Sequence, residues 1–297
     1  MGSWAGIDEF VAVAQVRSFS LAARRLSCST SQISREIAAL EDRLGQRLFY
    51  RTTRHVSLTE AGERFLVRCR RLVDERDETL AAMLETGDQL QGHLRMTCSV
   101  AYGERFVVPI TNELMLDHPR LCVDVLLTDA VVDLTGEGLD LAVRFGRLRD
   151  SRLVAARLTS RTRLLCASPA YLAARGAPQT LEALADHECL RGAVDTWAFD
   201  RGGQPFQHRP QGRFRCNSGY AVLQAALSGL GICRLPDFYV RPHLQCGELV
   251  ELLAEHRPED EGVWAVYPDR RHLPAKVRAM IDRLRHGLGR IDAGQTA

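Results

Sequence analysis

Residues 18–62 read SFSLAARRLSCSTSQISREIAALEDRLGQRLFYRTTRHVSLTEAG, a run that parses as two short helices joined by a tight turn and followed by an arginine-bearing hairpin. Ser20 is the expected N-cap of the first helix. Leu21, Ala22, Ala23 and Leu26 line that helix, and the paired alanines let a neighbouring helix approach closely. Ser27, Cys28 and Ser29 make the turn. A second helix begins near Thr30 and places Ile33, Ile37, Leu40 and Leu44 on its buried stripe. Its other face opens with Thr30, Ser31, Gln32, Ser34 and Arg35, short polar or fork-ended groups suited to base edges and phosphates. Gly45 is the expected C-cap. Leu48 and Phe49 follow, and then a small wing carrying Arg51 and Arg54, whose residues 55–59 alternate as a strand does. An ordinary amphipathic helix pair would explain the stretch as far as Leu44, but it leaves the wing unexplained. Helix, turn, helix and basic wing in this order set one helix in a DNA major groove and steady it on the backbone.

The same run resembles the N-terminal domain of LysR-type transcriptional regulators. It matches that family's pattern SFS..AA..L..S...S..I..LE..LG..LF.RT.R...LT.AG nearly throughout. The resemblance implies a winged helix-turn-helix that binds double-stranded DNA. Thr30, Ser31, Gln32, Ser34 and Arg35 would enter the major groove, and Arg51 and Arg54 would hold phosphates or the adjacent minor groove. Gln32 replaces the small or apolar residue often found at that place in the family. That change implies either a base contact particular to this chain or a side chain turned to solvent.

The chain has 297 residues, room for two or three domains and a sizeable core. Its 45% apolar and 26% charged content is that of a soluble globular protein. A net charge of +2 announces no nucleic-acid partner by itself. Within residues 1–59, however, eight arginines face five acids, a modest local field for phosphates. Lys276 is the only lysine, and arginine is favoured in every segment, so the bias reads as coding preference and a lone arginine outside the wing carries little functional weight. Nine dispersed cysteines, without a CxxC pair or a His/Cys cluster at metal spacing, point to a reducing compartment and mostly buried thiols. No leader segment opens the chain and no apolar run reaches membrane-spanning length, so a cytoplasmic protein without a membrane partner is expected.

From Thr59, an expected N-cap, a charged helix runs to about residue 87. Leu66, Cys69, Val73, Leu80 and Met83 form a heptad seam interrupted by Arg76. The same helix of a second subunit is the simplest partner for that seam, as in the dimerising linker helix of the resembled family; the chain's own later domain is the alternative. Residues 87–92 break the helix. Strands are expected at 94–98, 122–128, 139–143, 164–167, 232–235 and 264–267, and helices at 106–118, 131–137, 171–175, 219–228 and 275–288. Alternating strands and helices imply a parallel sheet with right-handed crossovers. Prolines at 169 and 268 mark two crossings between lobes. Residues 132–158, 168–190, 225–238 and 247–253 extend the resemblance to the family's effector domain, which is built like a periplasmic binding protein; the stretch near 197–211 is the one left unassigned. The expected fold is therefore α/β with an N-terminal all-α winged helix-turn-helix (1–59), a long linker helix (60–91) and a two-lobed effector domain (92–297). Lobe I would hold 92–166 and 268–297, and lobe II 167–267.

In open α/β lobes ligands sit beyond the carboxyl ends of the strands. That rule selects Cys98, Ser99, Thr128, Arg144, Phe145, Asn217 and Ser218, and the resemblance implies that Ser99 and Thr128 line an inducer cleft. Each has a structural alternative: serines and threonines cap helices, Arg144 can pair with Asp140 or Asp129, and Phe145 can be core. Cys98 reads either as a partly exposed, reactive sensor of oxidants or electrophiles, or as a small buried hydrophobe.

These readings converge on a DNA-binding regulator controlled by a small-molecule effector, without cofactor or metal. Working as a homodimer or dimer of dimers, it would need an inverted-repeat site and would act through contact with RNA polymerase. An enzyme is disfavoured because no GxSxG, GxGxxG or HExxH occurs. A free-standing solute-binding protein would account for residues 92–297 but not for the first ninety.

Overall fold

A computed structural model describes residues 4–51, 56–83, 89–146, 153–269 and 273–292. It falls into two compact units, Met1–Thr97 with Ile110–Ala142 and Tyr267–Arg283, and Cys98–Pro109 with Val143–Val266 and Leu284–Ala297.

The first unit opens with a helix that the sequence pattern did not single out, α1 (Ile7–Val16), whose Ile7, Phe10, Val11, Val13 and Ala14 are buried. Helix α2 (Phe19–Arg25) is capped by Ser18 rather than Ser20: the Ser18 hydroxyl accepts from the Leu21 N–H at 3.3 Å. Ser18 has the extended backbone a cap requires, while Ser20 lies one residue inside the helix. Ala22 and Ala23 are buried, as close packing demands. Helix α3 (Thr30–Leu44) starts where Ser29 accepts from the Gln32 N–H at 3.1 Å and stops at Gly45, whose φ of 64° suits a residue without Cβ. Ile33, Ile37 and Leu40 are buried, whereas Leu44, at the helix end beyond the core, is exposed.

Strands β1 (Phe49–Arg51) and β2 (Val56–Leu58) pair antiparallel as the wing, with Phe49 opposite Leu58. Arg54 lies outside the described residues. Thr59 then caps α4 (Glu60–Met83), accepting from the Gly62 N–H at 2.9 Å and donating to the Arg47 carbonyl at 2.7 Å. Leu66 and Cys69 of α4 are buried in one core with α1, α2 and α3, and Val73 packs against it. Phe10 centres this core, its ring 5.3 Å from both Phe49 and Phe65. A Cβ at Gly62 would stand 2.1 Å from the Leu48 carbonyl oxygen, so only glycine lets α4 lie this close to the wing. Arg76, the polar member of the seam, donates to Asp8 at 2.7 Å and lies over the Trp4 ring. Part of the seam is thus spent within the chain, while Leu80 of the seam and Leu72 outside it remain exposed.

Next come β3 (Gln91–Cys98), α5 (Val100–Tyr102), a π-helical turn (Gly103–Val107), α6 (Val108–Asp117) and β4 (Arg120–Leu127). Helical structure therefore begins six residues before the expected start at 106. Residues 131–137 are not a helix: the Asp133 carboxylate accepts from the Thr135 N–H at 3.0 Å, and the chain turns through Gly138 at φ 64°. Strand β5 (Leu141–Phe145) follows and pairs parallel with β3, Met96 opposite Leu141, so that β4, β3 and the start of β5 lie side by side.

The second unit holds the end of β5 beside β12 (Glu261–Pro268) and β6 (Leu153–Arg161), with β7 (Arg163–Ala167) following β6 after one residue. Helix α7 (Pro169–Arg175) leads to a hairpin, β8 (Trp197–Arg201) and β9 (Gln204–His208), built from the stretch that the pattern left unassigned. Then come α8 (Gly219–Leu227), β10 (Cys233–Pro236), α9 (Asp237–Gln245) and β11 (Val250–Glu251). Among the described residues the final helix is α10 (Ala275–Asp292), whose residues up to Arg283 belong to the first unit and those from Leu284 to the second.

The all-parallel expectation fails here, since β10 and β11 both run antiparallel to β7. Crossover through α9 makes β10 and β11 parallel to each other, but β7 arrives from β6 without a helix and runs between them the opposite way. Successive residues of β7 feed two cores: Leu164 and Cys166 pack toward α8 and Val240, Leu165 and Ala167 toward Tyr171, Trp197 and Phe199.

Candidate DNA-reading face and effector site

Thr30, Ser31, Gln32 and Arg35 are exposed on the first turns of α3, and Ser34 is half-buried among them. The opposite face is fixed by fully buried Ile33 and Ile37, so the exposed row cannot rotate without opening the core. At a helix N-terminus, free N–H groups and the positive end of the dipole add to the attraction for phosphate. The Ser31 hydroxyl lies 3.0 Å from that of Ser29, so the cap also orients the first polar side chain. Arg51 sits on β1 opposite Val56, the pair of the wing farthest from Phe49 and Leu58.

One positioning residue was missed. Glu41 accepts from the N–H groups of Leu48 (2.7 Å) and Phe49 (3.1 Å) and so ties the wing to α3. Its signal was present as the glutamate of the LE..LG pattern.

The residues expected around the effector divide between the units. Thr128, in the first, is half-buried and its hydroxyl accepts from the Ala130 N–H at 3.2 Å, closing a turn. The others lie in the second unit. Cys98 is fully buried, and burial pushes its thiol up to about 12 against the lowering influence of Ser99 and Arg144. A thiol so shielded and so seldom ionised is no exposed sensor; it is the buried hydrophobe of the alternative reading. Ser99, half-buried, stands at the N-cap of α5 with its hydroxyl not used for capping.

Phe145 lies beneath the Arg161 guanidinium, 3.7 Å from ring centroid to Cζ, and meets the edge of Tyr102 at 5.0 Å. Tyr102 also contacts Phe106 at 4.8 Å and Phe238 at 5.7 Å, and Phe238 stacks on Tyr239 at 4.4 Å. All but Tyr102 are half-buried. A Cβ on Gly219 would meet the Tyr239 ring at 2.6 Å, which brings the start of α8, with exposed Asn217 and Ser218, against this cluster. Ser218 itself caps α8, accepting from the Ala221 N–H. Arg144 is half-buried, and burial lowers its pKa. Arg161 and Arg163 share Glu261 at 3.0 and 2.8 Å.

His243, Cys246 and Glu248 also gather, with His243 Nδ1 2.7 Å and Cys246 Sγ 3.2 Å from the Glu248 carboxylate. Sequence spacing had not shown this grouping, and the hydrogen bonds among the three account for it.

Residues 6–63 match the family described as bacterial regulatory helix-turn-helix protein, lysR family, and residues 87–289 match the LysR substrate binding domain. The chain belongs to the LysR family of transcriptional regulators. As a LysR-type regulator it combines a DNA-binding helix-turn-helix with an effector-binding regulatory domain. It is 36% identical to an HTH-type transcriptional regulator of Haemophilus influenzae over 91% of this chain and 96% of that one. PtxR of Pseudomonas aeruginosa is 34% identical, covering 95% of this chain and 91% of its own. Among solved structures, CrgA of Neisseria meningitidis superposes with a TM-score of 0.60 at 32% identity over 96% of this chain and 98% of that one. AphB of Vibrio cholerae, a virulence activator, gives a TM-score of 0.60 at 29% identity over 94% of this chain and 97% of that one.

Proposed function

We propose that this LysR-type regulator reads an inverted-repeat DNA site as a homodimer or dimer of dimers. Thr30, Ser31, Gln32, Ser34 and Arg35 of α3 meet base edges, and Arg51 and Arg54 hold phosphates. Residues 1–59 act as reader, 60–91 as spacer and 92–297 as receptor. The effector sits at the cluster of Ser99, Arg144 and Phe145, beside Cys98, with Asn217 and Ser218 at its edge. Its binding shifts a population of conformers and so changes contact with RNA polymerase. The protein is no enzyme and works in the cytoplasm; no helix among the described residues is long and apolar enough to cross a membrane.

The observation carrying this reading is the exposed polar first turn of α3 whose reverse face is locked by Ile33 and Ile37. The test is a footprint on DNA upstream of its own gene, repeated with Gln32→Ala and Arg35→Ala. Gln32→Ala is expected to relax preference at one base step by about 1–3 kcal/mol, and Arg35→Ala to weaken binding. Equal losses on every sequence would refute base reading by Gln32, and absence of any footprint would refute the proposal.

A further inference from the structure

At the end of α9 three unlike donors converge. His243 lies in the last turn of that helix, Cys246 follows as its C-cap, and Gly247, at φ 78°, turns the chain so that Glu248 returns to His243. One Glu248 oxygen lies 2.7 Å from His243 Nδ1 and accepts from the Cys246 thiol at 3.2 Å, and the three ligating atoms all fall within 4.8 Å of one another. The frame beneath them is fixed. Val240 of α9 and Leu249, the residue after Glu248, are buried in one core, and the Leu249 N–H donates to the His243 carbonyl at 3.0 Å.

Two features favour a cation here. Arginine meets neighbouring acids of this unit, as Arg201 meets Glu182 and Arg257 meets Glu251, but among the described residues no arginine bonds Glu248, whose partners are His243 and Cys246. The negative end of the α9 dipole also falls at this turn. Imidazole nitrogen, thiolate sulfur and carboxylate oxygen together make a donor set of borderline softness, which zinc accepts and which magnesium and calcium, preferring oxygen alone, do not. Tetrahedral zinc needs its donors farther apart than the two hydrogen-bonded contacts, by about 0.4–0.7 Å. Side-chain rotation supplies that opening, because Cys246 and Glu248 are exposed and His243 is half-buried. The expectation of a chain without metal came from cysteine and histidine spacing, and a set with one of each beside a glutamate escapes such a search.

We propose that His243, Cys246 and Glu248 bind a zinc ion, with water in the fourth position. On binding, the Cys246 thiol gives its proton to solvent as the Sγ–zinc bond forms. His243 binds through Nδ1 and keeps its proton on Nε2, and one Glu248 oxygen completes the protein's share. Thiolate and carboxylate balance the two charges of the ion. The metal then staples the end of α9 to the approach of β11, whose Val250 pairs with Ala167 of β7. This site stands apart from the residues proposed for DNA reading and for the effector.

The test titrates reduced, untagged full-length protein with Co2+, a spectroscopic stand-in for zinc, and then adds Zn2+. One equivalent of Co2+ is expected to give the visible bands of a tetrahedral site and a near-ultraviolet band from thiolate to metal, both lost on adding zinc. Cys246→Ser is expected to lose the thiolate band, and His243→Ala and Glu248→Gln to weaken Co2+ about tenfold or more. Cys122→Ser, at an exposed cysteine in the other unit, should keep both band and affinity. Zinc should raise the melting temperature of wild type and of Cys122→Ser but not that of Cys246→Ser, and melting curves without metal establish that the variants fold. A thiolate band that persists in Cys246→Ser would overturn the site, as would unchanged Co2+ affinity in His243→Ala. Absence of any thiolate band in wild type would overturn the proposal and leave DNA reading by α3 untouched.

Discussion

Glu261 carries an electrostatic load out of proportion to its size. Burial alone would raise its pKa, but Arg163 and Arg161 outweigh that and hold the carboxyl below its ordinary value of 4.5. A carboxyl depressed in the folded state contributes stability that is fully present above the ordinary value and disappears as pH falls through the lower folded one. Glu261→Gln is expected to lower stability near neutrality by about 2 kcal/mol, since it leaves arginines facing each other. It should also flatten the acid limb of the melting temperature measured from pH 6 to pH 3. An acid limb as steep in the variant as in the wild type would place the titrating group elsewhere. Sequence could nominate Arg144 and Phe145 from strand ends, yet the arginines that meet Glu261 of β12 arrive from β6 and β7, and that meeting exists only in the folded chain. Cys98 shows the same limit from the other direction: its position near a helix start suggested reactivity, and only packing revealed that it is sealed.

Among the elements, α3 was readable because stripe and stop agree on one helix, the Ile33 to Leu40 spacing and Gly45, while Ser29, read as part of the turn, proves to be its cap. Residues 131–137 misled because Val131, Val132 and Leu134 imitate a helical stripe, while Asp133 with Gly136 and Gly138 favours a turn, and turn chemistry prevailed. The β8–β9 hairpin passed unrecognised although Trp197 and Phe199 alternate and Gly202 and Gly203, both at positive φ, make the bend. Its strands are short, and the polar residues between them dilute the period. Glu41 joins two elements at once. Glu41→Gln should cost about 1–2 kcal/mol in urea unfolding, because charge-assisted bonds to Leu48 and Phe49 become neutral ones. Affinity should then fall alike on specific and random DNA, as a loosened wing loses phosphates and not bases. A change in sequence preference would instead mean that Glu41 orients α3 itself.

For the whole molecule the organisation into helical head, long helix and α/β receptor was legible from grammar and resemblance, whereas strand direction around β7 was not, because periodicity carries no sign. The proposed pairing of reading heads sets a clear expectation. A DNA fragment retaining one half of the inverted repeat should bind about a hundredfold more weakly than the full site, since the second contact becomes intramolecular only when both halves are present. Equal affinity for half and full sites in electrophoretic titrations would mean that each head works alone.

The burial of Leu66 and Cys69 among the residues of α1 and α3, with Gly62 pressed against Leu48, makes the first turns of α4 part of the reading head itself. No swivel therefore exists at that junction. A rotation of the first turns of α4 about their axis carries the recognition surface with it, and a turn of 100°, the step of a single helical residue, would face that surface away from its bases.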